Sequence, residues 1–490
     1  MPVRTGKQFI EGLRSRPREV WLRGERIADT TAHPAFRRPI ERLAHLYDMQ
    51  HDPEFAQVLT YPSPSSGQPV GTAFMAPKNH ADLVKRRNAF QVWSEATFGL
   101  MGRSPDFMNT VLLAFAEAKE VFARDGQKFA DNLVRYYEYV RENDLFLSHA
   151  LISPQTDRSK TSSEQVDPHL HMGVVKETGE GLVIRGARML ATMGPICDEM
   201  LIYNLPGLKP GDEPHAVAFA VPVDAPGLRQ ICREPYNWGD RSDYDHPLAS
   251  NFEECDSLLI FNDVLVPWDR VFIHNNVALA NALYPDTALR NHTGHQTNVR
   301  ALVKMRFAVG IAQALAKAVK TDQFLHVQEK LGECMSYVEL IKSAIVRAEV
   351  EHDVLPNGNV RASLAPLQAL RGLLPTFYPR VIEVLQVIGA GGLLMTPSGL
   401  DFDSPEIAGD VARFYQGAEG MKSVDRVRLF KIAWDLAGDS FGARQLQYER
   451  FYAGDPVRIL AMTYLGTGDR DYKALVDRAI AIAGNPAGNP

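Results

Sequence analysis

"HMGVVKETGEGLVIRGARMLAT", residues 171–192, is the stretch on which the fold turns. Two apolar runs stand on either side of Thr178-Gly179-Glu180-Gly181, a turn sequence, and the pair reads as a hairpin. The same reading continues through "EMLIYNL" (199–205), "HAVAFAVPV" (215–223), "GLRQICRE" (227–234) and "DSLLIFNDVLVPWDRVFI" (256–273), all bounded by Gly, Pro, Asp or Asn. Together they predict an antiparallel sheet or small barrel. Upstream, "DLVKRRNAFQVWSEATFGLM" (82–101) and "MNTVLLAFAEAKEVFARDGQKFADNLVRYYEYVREND" (108–144) place apolar residues at helical spacing. Downstream, "VRALVKMRFAVGIAQALAKAVK" (299–320), "HVQEKLGECMSYVELIKSAIVRAEVEHDVL" (326–355) and the helical runs after them predict a bundle of long helices. The order is helical (1–145), β (146–275), helical bundle (276–490). The closing Gly-Asn-Pro repeat, 484–490, is expected to fray.

Composition narrows the function classes. The 490 residues are 45% hydrophobic, ample for a large core. Net charge is −6 with no basic run, which argues against a nucleic-acid partner. The N-terminus has no signal-type apolar stretch, and no segment reads as the roughly 20 apolar residues that span a bilayer. A soluble, cytoplasmic chain away from membranes is expected. The four cysteines, Cys197, Cys232, Cys255 and Cys334, are scattered without a C-x-x-C pair. Buried, reduced thiols are expected, not disulfides or a cysteine-built metal centre.

Several short stretches carry candidate chemistry. In "ENDLFLSHALISPQTDRSK" (142–160), His149 interrupts an apolar run and a polar loop follows at once. Such a histidine is either satisfied in the core or stands at the mouth of a binding site. In "GRSPDF" (102–107), Ser104-Pro105-Asp106 reads as a helix N-cap with proline at the first helical position. Arg103 before it is either a surface charge or turned inward to hold an anion. "FYAGDPVR" (451–458) is a turn, or it presents amides and Arg458 to a phosphate-bearing ligand. His169 and His171 would share one side of a strand, and His292 and His295 one helix face. Neither pair has a defined third ligand, and no metal is expected. "IGAGGLL" (388–394) follows a helical pattern and has Leu394 where a dinucleotide fingerprint wants glycine. A helix end or a close helix crossing explains it better.

Taken in order, "RTGKQFIEGLR", "TAHPAFR", "LYDMQHDP", "GRSPDF", "SHALISPQTDRSK", "GLVIRGARMLAT", "YDHPLAS", "VLVPWDRVFI" and "FGARQLQYERFYAGDPVR" span nearly the whole chain. So arranged, the chain resembles the large oxygenase components of two-component, reduced-flavin-dependent aromatic hydroxylases, the 4-hydroxyphenylacetate 3-monooxygenase type. The resemblance implies an α+β, mainly α, acyl-CoA-dehydrogenase-like fold: an N-terminal helical domain, a middle antiparallel β-barrel, and a C-terminal four-helix bundle that builds a homotetramer. It implies FAD as FADH2, delivered by a separate NAD(P)H:flavin oxidoreductase, with O2 as co-substrate and a small aromatic substrate. His149 and Arg103 would be catalytic. Gln155, Thr156, Asp157, Arg158, Thr161, Ser162, Ser163, Glu164, Thr192, Asp455, Pro456, Val457 and Arg458, with His149, would hold the flavin. Reduced flavin and O2 would form a C4a-hydroperoxide that attacks a phenol ortho to its hydroxyl. Arg103 would favour phenolate character and His149 would move the proton.

Two departures bear on the substrate. Phe107 stands where the family's motif has a tyrosine that bonds substrate. Asn204 and Leu205 (then Pro206) stand where a hydroxyl pair grips the substrate carboxylate. A neutral or differently anchored ring is therefore expected, unless Asn204 or a backbone amide restores the contact. The alternatives are a hydroxylase of an electron-rich heteroaromatic such as a pyrrole or indole, an acyl-CoA dehydrogenase or dehydratase-like enzyme, and a non-catalytic scaffold.

Overall fold

The computed structural model describes residues 3–237, 242–467 and 470–483. The Gly-Asn-Pro tail expected to fray lies outside the described residues. The chain opens with helices α1 (Gly6–Ser15) and α2 (Pro34–Met49), which flank a hairpin of strands β1 (Glu19–Leu22) and β2 (Glu25–Ile27). Three longer helices follow: α3 (His80–Ala96), α4 (Pro105–Glu117) and α5 (Gln127–Asn143). The β region contributes β3 (Leu147–His149), β4 (Gly173–Glu177), β5 (Gly181–Thr192), β6 (Glu199–Ile202), β7 (Ala218–Pro222), β8 (Leu228–Cys232), β9 (Asp256–Pro267) and β10 (Val271–Ile273). The last third holds α6 (Leu289–Ala318), α7 (Leu325–Val350), α8 (Leu364–Leu394), α9 (Ser423–Ala437), α10 (Ser440–Phe451), α11 (Pro456–Thr467) and α12 (Arg470–Ala483).

The strands form a six-stranded sheet in the order β2-β1-β8-β9-β5-β4 and a four-stranded sheet in the order β10-β7-β6-β3. Most pairs are antiparallel as expected, but β1 runs parallel to β8 and β3 parallel to β6. The β1–β2 hairpin was not anticipated, because it lies inside the stretch read as helical. Its turn, Arg23-Gly24, has both φ angles positive (53° and 82°), the twist a two-residue hairpin requires. The expected hairpin at Thr178–Gly181 is present, and the Thr178 amide donates to the Gly181 carbonyl at 2.9 Å.

Helices α6, α7, α8 and α9 pack on one another through buried aliphatic residues such as Leu315, Ile341, Leu385 and Phe430. By length and composition α8 could cross a membrane, an exception to the sequence expectation. Here it lies against α6, α7, α9, α10 and α11. The "IGAGGLL" glycines fall at its end, where Ala390 (φ 42°, ψ −141°) breaks the helix. A Cβ on Gly392 would stand 2.6 Å from the Phe430 ring, so this is a close helix crossing. All four cysteines are free and buried, and burial pushes the Cys232 thiol up to about 12.

One turn couples the bundle to the segment carrying Arg103. Gly99 (φ +67°) approaches α6 so closely that a Cβ would meet the Arg300 carbonyl oxygen and the Lys304 amide nitrogen at 2.8 Å. Backbone cannot yield there. Gly99→Ala adds both left-handed strain and overpacking, and is expected to cost about 2–4 kcal/mol in urea unfolding. A loss under about 0.5 kcal/mol, the range of ordinary surface changes, would contradict this reading.

Candidate active site

Arg103, Phe107 and His149 come together where α4, β3 and the end of α10 meet. Ser104 caps α4 and Pro105 takes its first position, as expected. The Ser104 hydroxyl, however, accepts no hydrogen bond from the first-turn amides; it donates to the buried Asp106 carboxylate (2.6 Å). Arg103 is turned inward. Its backbone amide donates to Glu254 Oε1 (3.1 Å), while its guanidinium lies over the rings of Phe107 (4.1 Å), Tyr452 (4.4 Å) and Tyr448 (5.8 Å). Nη1 is buried with no hydrogen-bond partner. Burial pushes its pKa down, but Tyr448, Tyr452 and Glu254 outweigh that and the net shift is upward. This cation is held by aromatic faces, with no carboxylate taking its guanidinium hydrogens.

His149 ends β3 and is 7% exposed. The Phe107 ring meets it edge-on at 5.5 Å, and its Nδ1 lies 3.2 Å from the Tyr203 hydroxyl. Nε2 is the nitrogen left for a ligand. Burial, then the charge of Arg103, hold its pKa well below the usual imidazole value. Tyr203 in turn packs against Tyr284 (6.5 Å). The walls are therefore aromatic, with one cation and one neutral imidazole inside. Tyr203, Tyr284, Tyr448 and Tyr452 were missed on sequence. Only the last two carried a signal: at i and i+4 they share a helix face.

A buried ionic knot holds this box. Arg300 grips Glu449 through both terminal nitrogens (2.7 and 3.0 Å), and Lys304 reaches the same carboxylate at 2.8 Å. Arg300 also donates to the Gly99 carbonyl (3.0 Å), and Gln445 to that of Leu100 (3.2 Å). Arg300 and Lys304 hold Glu449 down at about 2 against the upward push of burial.

The loop after His149 is exposed, and Gln155, Thr156 and Arg158 have no partner among the described residues. The bends around them are fixed: Asp157 accepts from Ser159 (2.6 Å), Glu164 from the Thr161 amide (2.8 Å), and Asp212 from the Ser163 amide (2.9 Å). Gln165 donates to the Asp157 and Thr161 carbonyls (3.0 and 3.2 Å). Some expected ligand groups already have partners in the chain. The Thr192 hydroxyl donates to Asp256 (2.7 Å), the Asn204 amide to the His215 carbonyl (3.1 Å), and the Val457 amide to Asp455 Oδ1 (3.1 Å). Leu205 is half-buried and apolar. Pro456 begins α11, which leaves Val457 and Arg458 exposed at a helix N-terminus. Arg371 ties this turn to the box by donating to the Ala453 carbonyl at 2.7 Å.

The histidine pairs do not converge on a metal. His169 is exposed, while His171 is buried and spans the loop, its Nδ1 2.9 Å from the Ser162 hydroxyl and its Nε2 2.9 Å from the Pro154 carbonyl. His292 faces Glu117 and His295 faces Glu349, each at 2.8 Å, on different neighbouring helices. The orphaned Arg103 Nη1, Tyr448 hydroxyl and Tyr452 hydroxyl fit a planar oxygen-bearing ring, and the unpartnered strap side chains fit a larger polar cofactor.

Comparison with known proteins gives one consistent result. The family profile described as 4-hydroxyphenylacetate 3-hydroxylase N terminal matches residues 5–273, and its C-terminal counterpart matches residues 280–481. The chain is 43% identical to the 4-hydroxyphenylacetate 3-monooxygenase oxygenase component of Thermus thermophilus, over 96% of each chain. It superposes at TM-score 0.93 on the crystal structure of an oxygenase component (HpaB) complexed with FAD and 4-hydroxyphenylacetate, at 42% identity, over 98% of this chain and 100% of that one. An archaeal 4-hydroxybutyryl-CoA dehydratase superposes at TM-score 0.88 with 22% identity, over 100% of this chain and 97% of that one, a likeness of fold alone.

The enclosed site makes a titration prediction. His149 has its folded pKa below the free value of 6.5, so acid binds the unfolded chain first and this group's stabilisation is full above pH 6.5 and declines below it. In NMR titration the His149 midpoint is expected to fall below the free value of 6.5. A midpoint at or above the free value would refute the enclosure.

Proposed function

We propose, from the premise that this chain belongs to the 4-hydroxyphenylacetate 3-hydroxylase family, that it is the oxygenase component of a two-component aromatic monooxygenase. The observation that carries the reading is the Arg103–His149 pair inside an aromatic box, with an unpartnered guanidinium nitrogen. Reduced FAD with O2 supplies an electrophilic oxygen. The chain's residues do the rest. Phe107, Tyr448 and Tyr452 take the two faces and the edge of a phenol ring. Arg103 stabilises negative charge on the phenol oxygen in a site where no carboxylate competes for its guanidinium. His149 Nε2 receives the phenol proton. Its low basicity, set first by burial, disfavours that transfer, and a phenolate beside Arg103 offsets the part of it that the Arg103 charge contributes. Leu145, Phe146 and Leu147 are all buried and keep that side dry, which protects a water-sensitive oxidant.

Gln155–Arg158 and Thr161–Glu164 hold the flavin from one side, and Thr192 and Asp455–Arg458 close on it from the others. Reduced FAD comes from a separate NAD(P)H:flavin oxidoreductase. Copies of the chain assemble as a homotetramer, a reading supported by the exposed apolar residues Leu460, Tyr464, Leu475 and Ile480 on α11 and α12. The heteroaromatic and dehydratase alternatives are not favoured, since the high-identity matches are phenol hydroxylases and the dehydratase likeness is one of fold.

Supplied with reduced FAD and O2, the purified chain hydroxylates a phenol without consuming NADH itself. Arg103→Ala and His149→Ala each lower product formation by about 10²–10⁴-fold with secondary structure retained. Wild-type yield in either variant would displace the site.

The substrate is a phenol without a charged side arm. One Asn204 amide hydrogen is already engaged by the His215 carbonyl, its Oδ1 is a buried acceptor without a partner, and the Leu205 side chain has no donor, so a carboxylate there is under-paired, at a cost of several kcal/mol. A higher kcat/KM for 4-methylphenol than for 4-hydroxyphenylacetate is expected. A tenfold preference for the acid, about 1.4 kcal/mol, would overturn it.

A further inference from the structure

Tyr203 is a part of the box to which the proposed function gives no task. It follows β6 directly, and the parallel pairing of β6 with β3 sets Leu201 opposite His149. Strand side chains return to one face every second residue, so Tyr203 rises on the His149 side of the sheet. There its hydroxyl meets Nδ1 at 3.2 Å. Among the described residues it is the only hydrogen-bond partner of the imidazole, since the Phe107 ring meets His149 edge-on and brings no polar atom. The Tyr203 ring is itself buried and braced edge-on by the Phe115 ring at 5.3 Å.

A phenol hydroxyl has one hydrogen, and a neutral imidazole has one N–H. Burial, then Tyr284, push the Tyr203 pKa well above the usual phenol value, and burial, then Arg103, keep His149 well below the usual imidazole value, so both groups are neutral. Their contact can be made in two ways. If Tyr203 donates, Nε2 carries the ring hydrogen and faces the pocket as a donor, beside a guanidinium that is a donor already. If Tyr203 accepts, Nδ1 carries the hydrogen and Nε2 faces the pocket as an acceptor. The second neighbour of the hydroxyl decides. Tyr284 lies on the short helix Val277–Asp286. Burial raises the pKa of both tyrosines, and the hydrogen bond between them raises Tyr203 further while pulling Tyr284 down, as when Tyr203 is the donor. A hydroxyl that gives its one hydrogen to Tyr284 has only lone pairs left for Nδ1.

We propose that Tyr203 is a positioning residue: it accepts the hydrogen of His149 Nδ1 and so keeps Nε2 unprotonated toward the phenol. The inference rests on the hydroxylase reading above and adds the group that readies His149 as a base. In the step it serves, the phenol O–H bond breaks, the hydrogen passes to Nε2, and the electron pair stays on the phenol oxygen beside Arg103. Nδ1–H stays on Tyr203 throughout, but its ring is now a cation. A hydrogen bond from a charged donor is stronger than one from a neutral donor. Tyr203 therefore steadies the imidazolium more than the resting imidazole, an interaction that acts on kcat and not on phenol binding.

The test reads the tautomer directly, from the nitrogen NMR shifts of the neutral His149 ring in the ligand-free protein, with His149→Gln to assign the signals. Wild type is expected to carry the hydrogen on Nδ1, against the preference of histidine in water for Nε2. Tyr203→Phe, which keeps the packing on Phe115, is expected to lose that tautomer. It is also expected to lower kcat by about tenfold, the scale of one hydrogen bond to a charged group, with KM for 4-methylphenol little changed. Tyr284→Phe leaves His149 and Tyr203 in place but frees the Tyr203 hydrogen, and is expected to move the ring toward Nε2–H as well. A wild-type ring protonated on Nε2 overturns the proposal, and so does an unchanged tautomer in Tyr203→Phe. A wild-type chain that hydroxylates no phenol from reduced FAD and O2 overturns the hydroxylase reading itself.

Discussion

The Glu449 carboxylate is the point on which the site is hung. It stands 5% exposed between Arg300 and Lys304 on α6, and those cations in turn fix the loop before Arg103 and the helix that carries Tyr448 and Tyr452. Two cations on one carboxylate leave a net positive interior, and that interior is affordable only with ideal geometry and full hydrogen bonding. Arg300 meets the condition with a bidentate contact and the Gly99 carbonyl. Lys304 meets it through Glu449 and Gln445. A slip of α10 along α6 would break every one of these contacts together, so the register between the helices, and with it the aromatic box, has one value.

The same economy governs the acids nearby. Glu254 lies close to Arg103, with Glu253 and Asp256 near it in the chain, yet Arg233 and Arg444 take up their charge. Asp256 stays below the usual carboxylate range because Arg444 and Arg233 outweigh its burial. Arg103 is thus left facing π clouds, which steady a cation without consuming its hydrogen-bond donors. The arrangement keeps a strong donor fork ready for an anionic oxygen, whereas a carboxylate partner would have to be displaced first.

Arg103 and His149 were legible in the sequence only as two-way readings, and a resemblance across ordered motifs was needed to choose. The reason is physical. Helical period and strand composition report burial, and both residues sit in segments whose burial is equally consistent with a packed core. Tyr203 and Tyr284 gave no signal at all, since they reach the box from a strand and a helix far apart in the chain. The hairpin at 19–27 stayed hidden because its strands are four and three residues long and charged at most outward positions. Asn204 illustrates what only the fold reveals: one of its amide hydrogens goes to the His215 carbonyl once β6 and the turn before β7 come together, while its Oδ1 stays buried without a partner.

The two halves of the site are built to different rules, and the difference has a function. The aromatic box is closed, cross-braced by ion pairs, and formed before any ligand arrives. The strap over β5 is exposed, and its bends are set by short-range hydrogen bonds to its own backbone, with His171, Asp212 and Arg188 pinning it from below. Gln155, Thr156 and Arg158 have no partner among the described residues, so a ligand that engages them must also meet the cost of ordering them. A cofactor that must come and go with each turnover suits the open half, and a reaction that must stay dry suits the closed one. His149 ends the strand that joins the two, with Phe107 and Tyr203 against its ring and the strap beginning just after it.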